Sequence, residues 1–106
     1  VRYAGPGDSE LVGTPDVVAE VVSDSTETKD TRWLRSAYFA AGVTEYWLID
    51  ARDGPPRFDI CRRGRDRYVA VRKADGWNRS AVFGKSFRFV PGRPAFEQPT
   101  YVLEVR

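Results

Sequence analysis

The chain has no histidine and only one cysteine among its 106 residues. Without histidine there can be no imidazole metal ligand and no Ser/His or Cys/His catalytic pair. A single cysteine, Cys61, excludes an internal disulfide and a zinc site made of paired cysteines. Any chemistry performed by these residues must use carboxylates, lysines, arginines, hydroxyl groups or one thiol. Cys61 has no histidine to activate it, and we expect it to be a small core residue.

Long hydrophobic runs are also missing. No stretch approaches the roughly 18 apolar residues that cross a bilayer, and the opening VRYAGPGDSELVG lacks the basic and apolar regions of a signal peptide. The hydrophobic content of 42% is ordinary for a globular protein. We therefore expect a single domain over residues 1–106, located in the cytoplasm and without membrane contact.

Charge is unevenly divided along the chain. Residues 1–50 carry four Lys or Arg against nine Asp or Glu, whereas residues 51–106 carry thirteen against six. The basic half suits contact with phosphate groups. The alternative is that these cations lie on solvated strand faces.

The apolar pattern predicts one helix among several strands. PDVVAEVV, from Pro15, is typical of a strand buried on both faces, and VTEYWLID, ending in Asp50, of a second. Between them Trp33, Leu34 and Tyr38 recur at helical spacing, and Gly42 follows as a C-terminal cap. A strand, a helix and a strand joined by short connections predict a parallel pair. Four later strands are predicted, at PRFDICRR, RYVAVRK, SAVFGKSFRFV and YVLEV.

Glu20 is the most unusual residue in this pattern, because it lies in the middle of an otherwise apolar strand. An ionised carboxylate in a buried strand costs several kcal/mol unless a cation or hydrogen-bond donors meet it. One interpretation is a structural salt bridge to an arginine. The other is a ligand for a hard divalent cation such as Mg²⁺, which usually takes one or two carboxylates and leaves other positions to water and phosphate.

The order of these motifs resembles a known family. PDVVAEVVSDST, then KD, then AYFAAG and then VTEYWLID are similar to the Uma-two family of restriction endonuclease-like domains, within the PD-(D/E)xK nuclease superfamily. The resemblance is specific over residues 15–50 and continues through the later strands. It implies an α/β, or mixed α+β, restriction-endonuclease-like fold with a mixed sheet, one principal helix and C-terminal β-hairpins.

The resemblance also implies a metal-dependent site. Glu20 matches the family glutamate, the carbonyl of Val21 is a further ligand, and Asp16 completes a literal PD. Four residues of strand separate Asp16 from Glu20 by about 13 Å, however, and both can bind one ion only if the strand bends sharply, so Asp16 is better explained as a strand-entry or turn residue. The usual family lysine is absent, and Lys29 is the candidate that replaces it.

An incomplete site leaves two functions open. The first family aspartate belongs to an upstream strand, and we expect this chain to lack that strand and an upstream helix; Asp8 is a weak substitute. An active domain would hydrolyse DNA phosphodiesters with Mg²⁺ or Mn²⁺, as a homodimer by family analogy. An inactive one would be a nuclease-fold module that binds nucleic acid or protein.

In either case the predicted nucleic-acid contacts are four arginines of one hairpin tip: Arg62, Arg63, Arg65 and Arg67. A solvated turn is the alternative.

Overall fold

The structure is a computed structural model that describes residues 2–3, 11–12, 14–22, 28–52 and 54–106. Its elements, in chain order, are β1 Arg2–Tyr3, β2 Leu11–Val12, β3 Val17–Val22, α1 Thr28–Ala40, β4 Glu45–Asp50, β5 Arg57–Arg63, β6 Tyr68–Ala70, β7 Asn78–Ser80, β8 Lys85–Pro91 and β9 Tyr101–Val105. None of the helical residues described forms a segment long and apolar enough to cross a membrane.

The strands form three sheets. β1 pairs with β2, the four strands β3-β4-β5-β6 form a mixed sheet, and β7-β8-β9 form an antiparallel one. β3 runs parallel to β4, with Val17 opposite Glu45 and Val22 opposite Asp50. The predicted parallel pair, the mixed sheet, the one principal helix and the C-terminal hairpins are therefore confirmed.

α1 ends where the sequence predicts. Gly42 adopts a φ of 86°, a conformation that glycine reaches at little cost. Its N–H donates to the carbonyl of Phe39, and the N–H of Val43 donates to the carbonyl of Tyr38. This pair of bonds is the Schellman motif, which satisfies two carbonyls that the helix leaves open. The chain then turns directly into β4.

The four-stranded sheet is covered on both faces. On one face α1 packs Tyr38 and Phe39 against a cluster of buried residues, Tyr46, Leu48, Cys61 and Tyr68. On the other face the three-stranded sheet contributes Phe87 to a second cluster with Trp47, Phe58 and Ile60. Burial of each large apolar side chain stabilises the fold by about 1.5–3 kcal/mol. The predicted core role of Cys61 is confirmed.

Two expectations about the strands are wrong. β3 is not buried on both faces, because Ala19 and Val21, which share a face, are exposed, Val21 to 65%. Residues 80–90 do not form one strand either. A turn over residues 81–84, ending at Gly84 with a φ of 67°, separates β7 from β8.

Candidate functional site

Glu20 lies on the face of the four-stranded sheet that α1 covers. It is directly opposite Leu48 in the parallel pair, and side chains two residues apart on a strand share a face, so Val18 and Val22 flank it. Because β3 is at the described edge of the sheet, Glu20 is half-buried rather than enclosed. Its charge can therefore meet solvent as well as protein.

Two side chains act on the Glu20 carboxylate. The hydroxyl of Tyr46, on the neighbouring strand, donates to Oε2 of Glu20 at 3.5 Å, which is a long and weak hydrogen bond. Burial raises the pKa of Glu20 above the usual carboxyl value, and the Tyr46 bond and the positive charge of Arg35 offset only part of that rise. Desolvation is therefore the dominant influence on this carboxylate.

Tyr46 links Glu20 to α1. Burial, and secondarily the negative charge of Glu20, raises the pKa of Tyr46 to about 12, so its hydroxyl remains a proton donor at neutral pH. The guanidinium of Arg35, on α1, lies 5.4 Å from the centre of the Tyr46 ring. Nε of Arg35 is buried and has no hydrogen-bond acceptor among the described residues. Glu20, Tyr46 and Arg35 therefore form one polar group beneath the helix.

The other predicted site residues lie around this group. Asp16 is exposed and immediately precedes β3, which pairs regularly with β4, so about 13 Å of strand separates it from Glu20. Val21 follows Glu20 and pairs with Ile49. Lys29 is in the first turn of α1, but its side chain lies outside the described residues, as does Asp8.

A divalent cation fits this site only in part. Among the described residues no group of three or more His, Cys, Asp or Glu side chains is close enough together to hold a metal ion. Glu20 supplies one carboxylate beside Tyr46 and Arg35. Mg²⁺ commonly binds through one or two carboxylates and otherwise through water and substrate phosphate, so Glu20 supplies a part of such a set.

A cavity lined by arginines lies next to this group. Its volume is about 340 Å³ and it opens between α1 and the ends of β3, β4 and β5. Four guanidinium groups and one carboxylate line it, together with Val22, Leu48 and Thr31; the charged residues are Arg32, Arg35, Arg52, Arg57 and Asp50. Asp50 is bonded to Arg52 at 2.9 Å, and these hydrogen bonds lower the pKa of Asp50 to about 2. The cavity is thus strongly cationic.

The four hairpin arginines do not share one environment. Arg62 and Arg65 are exposed, and Arg67 is exposed with a 3.4 Å contact to Asp66. Arg63 is half-buried, donates to the carbonyls of Phe39 and Val43 at 2.8 and 3.2 Å, and covers the Phe39 ring at 3.9 Å. The contacts of Arg63 fasten the end of α1 to β5.

The most buried carboxylate among the described residues is one that sequence reasoning missed. Glu45 is 3% exposed at the start of β4. Its Oε1 accepts from Trp47 Nε1 and Ser80 Oγ, each at 2.6 Å, and its Oε2 accepts from the Val82 N–H at 3.4 Å. Ser80 ends β7 and Val82 is in the turn that follows it, so Glu45 joins the four-stranded sheet to the β7–β8 hairpin. The sequence indicates only that Glu45 lies near the start of a strand, and this position does not predict its hydrogen-bond partners.

Comparison with known proteins gives one match. A family described as "Putative restriction endonuclease" matches residues 2–90. No curated protein and no solved structure shows a significant match to this chain. The family match includes β3, α1 and β4, the elements that carry Glu20, Tyr46 and Arg35.

Proposed function

Because the chain belongs to the Uma-two (Uma2) family of putative restriction endonucleases, we propose that it is a Mg²⁺-dependent endonuclease domain that hydrolyses DNA phosphodiesters. The observation that supports this proposal most strongly is the situation of Glu20. It is a half-buried carboxylate with a raised pKa, it forms no ion pair within the described residues, and it lies beside a cationic cavity. A carboxylate whose pKa is raised by desolvation and which lies next to a cleft is a candidate for a functional site.

Each residue of the site has a proposed role. Glu20 binds the cation, while Tyr46 holds one of its carboxylate oxygens and Arg35 balances its charge. The carbonyl of Val21 is the other proposed ligand, and Lys29 is proposed to orient the attacking water. Asp16 lies about 13 Å along β3 from Glu20, which is too far for both carboxylates to bind one ion. A bound Mg²⁺ supplies charge stabilisation at the phosphate and a more acidic water. A further carboxylate would come from outside the described residues, where Asp8 is the candidate.

Nicking of supercoiled plasmid DNA tests this proposal. The chain is incubated with plasmid in Mg²⁺, in Mn²⁺ and in EDTA, alongside Glu20→Gln and a matched surface control, Glu97→Gln, whose side chain is exposed. We expect open circles only with a metal, from the natural chain and from Glu97→Gln, and a background rate from Glu20→Gln. Equal nicking by Glu20→Gln would refute the role of Glu20.

A second candidate function is a nuclease-fold module that binds nucleic acid without cleaving it. Two observations favour it: the described residues contain no cluster of three potential acidic or thiol ligands, and Leu34 stands in α1 where the family resemblance places a lysine. This candidate predicts metal-independent retention of DNA in a gel-shift assay. It also predicts no nicking by any of the three proteins.

Two-strand cleavage would use two copies of the domain, so the endonuclease proposal includes a homodimer. Family analogy supports the homodimer. Light scattering of the chain with a short DNA duplex tests it, because a dimer doubles the protein mass per complex. One copy per duplex at all concentrations would limit the activity to single-strand nicks.

A further inference from the structure

We propose that the arginine-lined cavity binds a phosphate group of a nucleic-acid strand. This phosphate would be the neighbour, on the same strand, of the phosphate that lies at Glu20. The inference rests on the proposed function for the kind of ligand, but the cavity itself follows from the described residues. Guanidinium groups bind phosphate through paired, charge-assisted hydrogen bonds, which makes several converging arginines a strong phosphate site.

The cavity retains donors that the fold does not use. Arg52 is engaged by Asp50, and Arg57 donates its Nε–H to Asp59 at 2.7 Å. The terminal nitrogens of Arg57 make no hydrogen bond within the described part of the chain, and no carboxylate there pairs with Arg32. Two of the lining arginines, Arg32 and Arg57, therefore keep N–H groups for a ligand.

The size and position of the cavity suit a phosphate of the same strand. A volume of about 340 Å³ equals roughly ten water molecules, enough for a phosphate group with part of its sugar. Val22 lines the cavity and is two residues from Glu20 on the same face of β3, a separation of about 7 Å. A strand that places one phosphate at Glu20 can thus reach the arginines with a neighbouring one.

This location differs from the predicted hairpin contacts. In the pairing of β4 with β5, Arg57 is opposite Asp50 at one end, whereas Arg62 is opposite Glu45 at the other. Five residue steps along a strand separate these ends by about 16 Å. Substitution of the hairpin arginines is therefore a matched control for substitution of the cavity arginines, because each removes positive charge at a different end of the same sheet.

Binding is measured without metal, in EDTA, so that its result is independent of cleavage. The probes are pyrophosphate, followed by calorimetry, and a fluorescent single-stranded oligonucleotide, followed by anisotropy. The variants are Arg32→Gln, the pair Arg32→Gln/Arg57→Gln, and the hairpin pair Arg62→Gln/Arg65→Gln. Arg32 is exposed and forms no ion pair in the described residues, so Arg32→Gln is expected to fold even if Arg57→Gln does not.

We expect pyrophosphate to bind the natural chain, to bind Arg32→Gln/Arg57→Gln roughly tenfold or more weakly, and to bind the hairpin pair unchanged. Arg32→Gln alone should give a smaller loss in the same direction. The oligonucleotide should displace pyrophosphate, which identifies a nucleic-acid phosphate as the ligand. Pyrophosphate binding that the oligonucleotide leaves intact would assign the cavity to free phosphate and overturn the proposal.

No binding of pyrophosphate, or equal loss in the cavity and hairpin pairs, would also overturn it. The two proposals can fail separately. Nicking without pyrophosphate binding would refute the cavity alone, and pyrophosphate binding without nicking would refute only the endonuclease.

Discussion

Glu20 shows how far one residue can be understood from its neighbours in the chain. A glutamate among valines and alanine in a strand predicts an unusual carboxylate, and burial does raise its pKa. The sequence did not reveal that β3 has one described neighbour strand, which leaves Glu20 half-buried, or that Tyr46 and Arg35 face it. These features depend on sheet order and helix packing, which are set by contacts distant in sequence.

The raised pKa of Glu20 predicts a pH-dependent stability. The folded protein holds a proton at Glu20 more readily than the unfolded chain, so stability should fall as pH rises from below the ordinary carboxyl pKa through the raised one. Glu20→Gln removes this loss. We expect its Tm to exceed that of the natural chain at pH 7 and to match it below about pH 4. Thermal unfolding across this range checks it, with Glu97→Gln as control; a less stable Glu20→Gln at pH 7 would contradict it.

Glu45 carries a different prediction, because its role is structural. Glu45→Ala leaves buried donors on Trp47 and Ser80 without an acceptor, and we expect a loss of about 2–4 kcal/mol in the free energy of unfolding. Glu45→Gln keeps one acceptor oxygen and should lose less. Urea unfolding measures both, against the exposed control Asp66→Ala, expected within about 0.5 kcal/mol of the natural chain. A loss below 1 kcal/mol for Glu45→Ala would show that the buried bonds contribute little.

At the scale of elements, the helix illustrates what periodicity determines and what it leaves open. The pattern located α1 and its Gly42 cap, but it also placed Trp33 on one apolar stripe with Leu34 and Tyr38, and Trp33 is 70% exposed. Trp33, Ser36 and Ala40 are spaced by three and four residues and share the outward face of α1. The buried face is instead formed by Tyr38 and Phe39, which reach the sheet. The assignment of Trp33 was wrong because hydrophobic periodicity alone does not show which large apolar side chain of a helix faces the sheet.

The contacts of Arg63 with the end of α1 are expected to contribute to the free energy of unfolding. Arg63→Ala removes two hydrogen bonds to carbonyls and the stacking on Phe39, and we expect a loss of about 2 kcal/mol in unfolding free energy. Arg63→Lys should recover only part of it, because a lysine amine lacks the planar fork. Urea unfolding measures the change, with the exposed neighbour Arg65→Ala as control. Equal effects at both positions would contradict a specific anchoring role.

At the scale of the whole molecule, the family match and the fold do not end at the same residue. The match ends at residue 90, whereas β9 spans Tyr101–Val105 and pairs along β8. Tyr101 stacks on Phe89 with ring centres 5.3 Å apart, and Glu104 accepts from Arg88. The predicted strand YVLEV is confirmed, and so is its place in a C-terminal hairpin with the strand before it.

Removing β9 tests whether it belongs to the folding unit. Truncation after Gln98 exposes the edge of β8 and the ring of Phe89, and we expect unfolding at least about 2 kcal/mol easier, together with aggregation. Urea unfolding and light scattering of the truncated chain measure both effects. An unchanged free energy of unfolding in the truncated chain would show that β9 does not contribute to the stability of the fold.

The role of Glu20 as a cation ligand is tested most directly by the Tm of the natural chain and of Glu20→Gln at pH 7, with and without millimolar Mg²⁺. A cation that binds only the folded protein raises its Tm. We expect Mg²⁺ to raise the Tm of the natural chain and to leave that of Glu20→Gln unchanged. An equal change in both proteins, or none in either, would contradict cation binding at Glu20.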